Sequence, residues 1–308
     1  MRKQDQARAD DLIQRLAAFS KDTLLLKGIS DDGARTCLVR QMIDSLHRIE
    51  FVKRLGDRQV SQHRLDPASL LFDPIKAAFL HTLNGSCDEA AWLIFLATHF
   101  GFNSKHKWEL TRRVYGALQK APAWTWLRTS SNLVEFEAWF IENAAKLSEV
   151  GFGNHRKYES IKVGAENNLF ATVSSYVAWV GQNRGHAMLF KDVAANSGSD
   201  SKPLFDGLYS DMKVVQFGRT AKFDYLTMLG KIGVVDIEPP FPYLSGATGP
   251  VRGAALLLTG DTDSKIKTLI LTDLVVSLGE SLGLGMQVME DSLCNWQKSP
   301  LRYQGFRG

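Results

Sequence analysis

The stretch Leu244–Leu258, LSGATGPVRGAALLL, decides the fold that this sequence predicts. Its glycines and its proline interrupt regular structure, and the alanines and leucines that follow favour a helix. The segment therefore predicts a helix end, a tight hairpin and a new helix. A Walker A loop is excluded because no Gly-Lys-Ser/Thr follows the glycines, and a dinucleotide-binding fingerprint is excluded because no strand precedes them. A plain Gly/Pro loop between two core helices is the alternative interpretation.

Helical periodicity also dominates the rest of the chain. Ser86, followed three residues later by Glu89, predicts a capping box at the start of one helix. Asn132 and Glu135 predict the start of another helix. The polar run Ala194–Lys202 predicts a surface loop or a hinge.

Alternating strand patterns are absent, so we expect an all-α, multi-helix fold in a two-layer arrangement. The domain prediction places an N-terminal helical region at residues 1–150 and a second helical region at residues 151–308. The second region carries the hairpin at residues 244–258.

The composition is that of a globular protein. Of the 308 residues, 44% are hydrophobic and 23% are charged, which excludes a disordered, collagen-like or coiled-coil chain. The three cysteines are too scattered for a disulfide framework or a metal motif, so we expect no metal and no cofactor. The charged N-terminus is unlike a signal peptide, and no apolar run has the length of a membrane span. These features predict a cytoplasmic protein without a membrane partner.

The net charge of +4 does not by itself indicate a nucleic-acid partner, so local patches would have to bind an anion. One such patch is the turn-like segment GNHRKYE, in which His155, Arg156 and Lys157 could hold phosphates and Tyr158 could stack on a base. A solvated basic turn is the alternative there. For the basic stretch Lys105–Arg113, a solvated helix face is the expectation.

Three carboxylates are candidates for the chemistry of a site, namely Asp224, Asp273 and Glu290. Glu290 and Lys298 lie on one helical face with Cys294 between them, because the three are spaced by four residues. The functional interpretation puts Glu290 at the mouth of a cleft and Lys298 near a phosphate. The alternative is a charged surface with Cys294 packed beneath it and Trp296 in the core.

The hairpin segment resembles the helix-hairpin-helix element of DNA glycosylases, which reads L-P-G-V-G-x-x-T-A, although one extra residue separates its glycines here. In that element, glycines let the backbone approach a DNA phosphate, and N–H groups at the new helix start bind it. The resemblance implies that Gly246, Gly249 and Arg252 contact DNA. It also implies an essential aspartate about 24 residues after the hairpin, where Asp273 stands.

Three segments, FGRTAKFDYLTMLGKIG, YLSGATGPVRGAALLL and MQVMEDSLCNWQKSP, together resemble the alpha-glutamyl/putrescinyl thymine pyrophosphorylase family of phage DNA-hypermodification systems. GFGNHRKYES is similar to its third clade. Other clades of the family carry a helix with the motif E-H-x-L-C-E, which corresponds to residues 290–295 here. This sequence keeps Glu290 and Cys294 of the motif but differs from it at Asp291 and Asn295. The resemblance covers about residues 150–305 and implies the glycosylase fold. A bacterial anti-phage DNA glycosylase that removes glucosylated hydroxymethylcytosine is similar to this family.

The resemblance implies chemistry on a modified base, with phage DNA as the partner and no obligatory protein partner. We expect an anti-phage DNA glycosylase that flips a bulky modified pyrimidine into a pocket and leaves an abasic site. One of the three carboxylates would stabilise the oxocarbenium-like sugar, and Tyr158 or Trp296 would stack on the base. Two alternatives stay open: displacement of pyrophosphate from an activated base during thymine hypermodification, and non-catalytic recognition of modified DNA.

Overall fold

A computed structural model describes residues 3–57, 59–120, 122–153 and 160–305. Within these ranges the chain forms α-helices and short 3-10 helices without a strand, which confirms the all-α class. The α-helices of the described ranges are α1 (Lys3–Asp22), α2 (Asp32–Lys53), α3 (Pro74–Leu83), α4 (Cys87–Phe100), α5 (Glu109–Tyr115), α6 (Trp126–Ser131), α7 (Leu133–Leu147), α8 (Leu169–Val180), α9 (His186–Ser197), α10 (Ser201–Asp211), α11 (Arg219–Ile232), α12 (Gly249–Thr259), α13 (Thr268–Leu282) and α14 (Met286–Trp296).

Among the described helices, none alone has the length and apolar character of a membrane span. The bent pair α13 and α14, which meet at 114°, passes that test of length and composition together.

The helices form two compact units. The first comprises the described parts of residues 1–52 and 239–307, and the second comprises those of residues 53–238. Both ends of the chain meet in the first unit because α1 packs on α13 and the 3-10 helix Lys27–Ile29 packs on α12. The boundary predicted at residue 150 falls inside the second unit, since these contacts join segments that are distant in sequence. The functional division at that residue stays a prediction.

The core of the first unit takes apolar side chains from each of its helices. Fully buried examples are Leu16 of α1, Leu38 of α2, Leu257 of α12, Leu278 of α13 and Met289 of α14. Burying one such side chain contributes about 1.5–3 kcal/mol. The core therefore holds the start of α12 in place, since α12 and α14 both contribute side chains to the same apolar cluster and pack directly on each other.

Helix α4 is the centre of the second unit. The residues from Ala90 to Phe100 are buried almost throughout, as expected of a helix that is apolar on all sides. Helices α3, α5, α6, α9 and α11 all pack on α4. This helix therefore brings together groups from distant parts of residues 53–238.

The starts of α7 and α4 test the capping residues that the sequence predicts. The prediction for α7 is confirmed, because the Asn132 side-chain oxygen accepts the Glu135 N–H at 3.1 Å. The helix start predicted at Ser86 is confirmed, since α4 begins at Cys87, but the capping box was wrong, because the Ser86 side chain makes no capping hydrogen bond. The Glu89 carboxylate instead accepts the Tyr115 hydroxyl at 2.7 Å and the Trp126 N–H at 2.9 Å. Glu89 therefore binds residues of other helices and does not take part in the predicted cap.

The loop predicted at Ala194–Lys202 is much shorter than expected. Helix α9 continues to Ser197 and α10 begins at Ser201, so only three residues connect them. Gly198, with φ of 101°, allows the sharp change of direction. Packing of α9 against α10 extends both helices into a polar sequence.

Candidate functional site

The predicted turn and the helix that follows it are present in the first unit. The predicted helix end within this segment was wrong, because α11 already ends at Ile232 and residues 233–248 form no helix. The Leu244 carbonyl accepts the Ala247 N–H at 2.9 Å. Gly246 has φ of 76°, in the left-handed region that favours glycine. Helix α12 begins at Gly249, and within the described structure the Thr248 side chain at its N-cap position makes no capping hydrogen bond. The first N–H groups of α12 are thus left without this side-chain cap, as at helix starts that bind phosphate.

Two glycines let α12 approach α14 closely. A Cβ built on Gly253 would overlap the carbonyl oxygen of Leu293. A Cβ on Gly249 would lie 2.7 Å from the sulfur of Cys294, which is closer than real Cβ atoms come. The two glycines are one helical turn apart and so form one smooth face. This face sets the distance between the hairpin and α14.

Glu290 lies on α14, one turn before Cys294 on the same helical face, and is only 8% exposed. A buried carboxylate is uncommon because desolvation disfavours the charged form. In such a setting a carboxylate interacts with positive charge far more strongly than it does in water. Of the three candidate carboxylates, Glu290 is the one whose surroundings suit charge stabilisation.

The other two carboxylates are exposed. Asp273 lies in the second turn of α13, in the first unit. Asp224 lies on α11, in the second unit. Asp273, which stands 24 residues after Gly249, therefore lies at the surface. A catalytic role for Asp273 or Asp224 stays a prediction.

The two cationic side chains predicted beside the hairpin are also exposed. Arg252, on α12, donates to the Thr262 hydroxyl at 3.3 Å and lies 3.4 Å from a carboxylate oxygen of Asp263. Lys298 follows the end of α14, and its ammonium donates to the Asn295 side-chain oxygen at 3.1 Å. A phosphate at the hairpin would compete with these weak surface contacts.

The aromatic residues predicted to stack on a base have different outcomes. Trp296 is fully buried, and its ring N–H donates to the carbonyls of Ala34 and Pro300, both at 3.2 Å. Trp296 therefore occupies the core, as in the alternative interpretation of this segment. Tyr158, together with His155, Arg156 and Lys157, lies outside the described residues.

A buried polar chain in the second unit had no signal in the sequence. Asp88 Oδ1 accepts the His186 ring Nδ1–H at 2.8 Å and the His186 backbone N–H. Because an ionised carboxylate only accepts, His186 Nε2 is left to accept the Tyr176 hydroxyl at 2.6 Å. The Tyr176 oxygen then accepts the Tyr225 hydroxyl at 2.8 Å. These residues come from four different helices, so no local spacing could reveal them.

Electrostatics fix the protonation of this chain near neutral pH. Hydrogen bonds from His186 lower the pKa of Asp88, whereas burial lowers the pKa of His186 itself. Burial also raises the pKa of both Tyr176 and Tyr225. We infer an anionic Asp88 and a neutral His186, with both hydroxyls protonated. Only Asp88 is substantially exposed, so solvent reaches the chain at its carboxylate end.

Comparison with known proteins identifies the family. The family model described as alpha-glutamyl/putrescinyl thymine pyrophosphorylase clade 3 matches residues 33–308, which confirms the predicted resemblance and extends it towards the N-terminus. No curated protein and no solved structure matches the chain, and the likeness to DNA glycosylases stays a prediction. The hairpin, α14 and the whole of the second unit fall within the matched residues. The chain therefore belongs to clade 3 of the alpha-glutamyl/putrescinyl thymine pyrophosphorylase family, whose name describes enzymes of thymine modification.

Proposed function

We propose that this protein acts on a modified pyrimidine in DNA at the hairpin and α14, and that it excises the base. The observation that carries the proposal is the burial of Glu290 on the face of α14 that also bears Cys294, whose sulfur lies against the start of α12. Membership of a family of thymine-modifying enzymes supports a modified base as the substrate. A buried carboxylate can stabilise the positive charge that develops on the sugar during excision, which supports excision as the reaction.

DNA binding would begin at the hairpin. The first N–H groups of α12, with Gly246 and Gly249 allowing close approach, would hold one backbone phosphate. Arg252 and Lys298 would supply positive charge next to that phosphate. The modified nucleotide would then leave the base stack at a cost of a few kcal/mol. Tyr158 is the remaining candidate to stack on the flipped base.

In the chemical step, the bond between the base and C1′ of the sugar breaks, and its electron pair leaves with the base. Glu290 would stabilise the positive charge that develops on the sugar. Water adds to C1′ and gives up a proton, and the departing base gains a proton. The products are a free base and an abasic site. Removal of a bulky phage base in this way would serve anti-phage defence.

The family name favours a second candidate function, the displacement of pyrophosphate from an activated thymine. An amine of the kind that glutamyl and putrescinyl groups carry would form a bond to the exocyclic carbon of the base. The carbon–oxygen bond would break, and its electron pair would leave on pyrophosphate. Glu290 would accept the proton that the amine loses.

One assay separates these functions. Two duplexes, one with glucosylated 5-hydroxymethylcytosine and one with 5-pyrophosphoryloxymethyluracil plus putrescine or glutamate, are incubated with the protein. Released base and alkali-labile strands support excision, whereas pyrophosphate release with intact strands supports the second function. Binding without any product overturns both and leaves the non-catalytic reader.

A single substitution tests the role of Glu290. We expect Glu290→Gln to lower the rate at least about 100-fold, because the amide keeps the shape but loses the charge. Asp273→Asn and Asp224→Asn are the comparison variants, and a larger loss in either would transfer the role to that carboxylate. Thermal unfolding of each variant shows that the fold is kept.

A further inference from the structure

The residues between α4 and α5 form a closed turn in the second unit. Asn103 donates its N–H to the Lys107 carbonyl at 3.1 Å, and the Lys107 N–H donates to the Asn103 carbonyl at 2.7 Å. The Asn103 side-chain oxygen accepts the N–H groups of Lys105 and His106, both at 2.9 Å. Four hydrogen bonds therefore hold the tip of this turn in one conformation.

The turn is also anchored to a second segment. The Asn103 amide donates to the carbonyls of Gly151 at 3.3 Å and Phe152 at 2.9 Å. The Gly153 N–H donates to the Phe100 carbonyl at 2.7 Å. A Cβ on Gly153 would lie 2.8 Å from the backbone of Gly101, so only glycine allows this approach. A partner that binds the turn meets a surface that is already ordered, which reduces the entropic cost of binding.

The structure separates the basic residues of this region into two groups. Arg112 and Arg113 lie on α5 and both form ion pairs with Glu109, at 2.7 and 2.9 Å. Lys105 and Lys107 lie in the turn before α5, are exposed, and form no ion pair with any residue that the structure describes. The two lysines therefore lie in a turn and not on the solvated helix face that the sequence predicts for Lys105–Arg113. Their positive charge is available to an anionic partner.

An exposed aromatic ring lies beside these lysines. Phe102 is 43% exposed, and its ring meets the Trp108 ring edge to face at 5.1 Å between centroids. The Lys107 ammonium lies 5.3 Å from the centre of the Phe102 ring. Surfaces that bind nucleic acid combine these two elements, with lysines on phosphates and an aromatic ring on a base.

We propose that the basic turn Phe102–Trp108 is a second DNA-contact surface, on which Lys105 and Lys107 bind backbone phosphates and Phe102 stacks on an unpaired base. The identity of the polymer rests on the proposed function, which makes DNA the substrate. The exposed ring favours a nucleic acid over an acidic protein because every base offers a π-face for stacking.

The test compares two double variants that change the net charge equally. Lys105→Glu with Lys107→Glu alters the turn, whereas Lys146→Glu with Lys191→Glu alters two exposed lysines elsewhere in the second unit. Each pair takes the net charge from +4 to neutral, so the two variants differ only in where the charge is changed. Fluorescence anisotropy with an unmodified single-stranded oligonucleotide measures affinity at several salt concentrations.

We expect the turn variant to lose at least about tenfold in affinity, and the control less than about threefold. The slope of log K against log salt should flatten by roughly 1.4 in the turn variant alone, as expected for two lost phosphate contacts on a single strand. Phe102→Ala should weaken binding at least about fivefold for the single strand and leave fully paired duplex unaffected.

Equal losses in the two double variants would overturn the proposal, as would failure of the wild-type protein to bind the oligonucleotide. If polyglutamate competes as well as DNA of equal charge, and Phe102→Ala has no effect, the turn is a general anion site and the assignment to DNA fails. Because this assay needs no turnover, it remains readable when neither base nor pyrophosphate is released. Failure of the proposed chemistry and failure of the contact surface are therefore distinguishable.

Discussion

The two units pack their interiors in different ways. In the first unit, α12 and α14 meet through the glycine face of Gly249 and Gly253, against the backbone of Leu293 and the sulfur of Cys294. In the second unit, helices α4, α8, α9 and α11 contribute to a chain of hydrogen bonds inside an aromatic shell. The contact between α12 and α14 depends on the absence of side-chain atoms, whereas the hydrogen-bonded chain depends on each of its members keeping its partner.

This difference predicts two kinds of failure. Extra atoms should disrupt the first interior, because backbone on the partner helix cannot move aside cheaply. Lost atoms should disrupt the second, because a buried donor or acceptor without its partner costs free energy.

Gly253→Ala should have the largest effect. The added methyl group overlaps the Leu293 carbonyl oxygen, so the helices must separate. We expect the free energy of unfolding in urea to fall by about 3 kcal/mol, at the upper end of the usual cost of overpacking. Gly285→Ala is the control, because nothing lies near its new methyl group, and it should cost less than about 1 kcal/mol. Similar losses in both variants would show that the contact is not tightly packed.

Tyr176→Phe should cost about 1–3 kcal/mol of unfolding free energy. The change removes the partner of His186 Nε2 and of the Tyr225 hydroxyl, and all three residues are fully buried. Combining it with Tyr225→Phe should cost less than the sum of the single variants, because the double change leaves fewer unpaired groups. Strict additivity in this cycle would contradict a coupled chain.

The pH dependence of stability should show the buried His186. Its pKa is lowered in the folded protein, so the unfolded chain binds a proton first as the pH falls through about 6.5. The stability that His186 contributes should then decline below that pH, by at most about 1.4 kcal/mol per unit, until its folded pKa is reached. Asp88, whose pKa is also lowered, contributes stability that is lost only at lower pH, below about 3.8.

Comparison with His186→Gln isolates this effect from the other titrating groups. The difference in unfolding free energy between the wild-type protein and this variant should shrink from pH 7 to pH 5. A difference that stays constant over this range would mean that the imidazole is not buried in the neutral form.

Arg252→Ala should have the smallest effect on stability, less than about 1 kcal/mol, because its ion pair with Asp263 is exposed. DNA affinity should nevertheless fall if the hairpin binds a phosphate. Asp263→Ala is the matched variant, since it breaks the same pair but leaves the guanidinium available to DNA. Equal affinities for the two variants would remove Arg252 from the DNA contact.

Local signals in the sequence predicted local structure well. The turn at Gly246 and the start of α7 at Asn132 both depend on residues within a few positions of each other, and both are confirmed. Glu89 carried an equally clear local signal, yet it bonds Tyr115 and Trp126 instead. The sequence pattern cannot weigh a nearby cap against partners that only the fold supplies.

The features that escaped prediction depend on long-range contacts. Asp88 and His186 are 98 residues apart, and their bond needs α9 to pack on α4. The spacing of Glu290 and Cys294 did predict a shared face, but the burial of Glu290 depends on the first unit as a whole. Sequence patterns therefore showed which residues could act, and the fold showed how their surroundings differ.

The joining of both chain ends in the first unit has a consequence for synthesis on the ribosome. Helices α1 and α2 are translated before residues 53–238, whereas α12, α13 and α14 are translated after them. Until then the apolar face of α1, with Leu12, Leu16 and Phe19, lacks the partner that later buries it. The second unit is complete earlier and can fold as it emerges. A nascent chain arrested before residue 239 should therefore bind chaperones through its N-terminal helices.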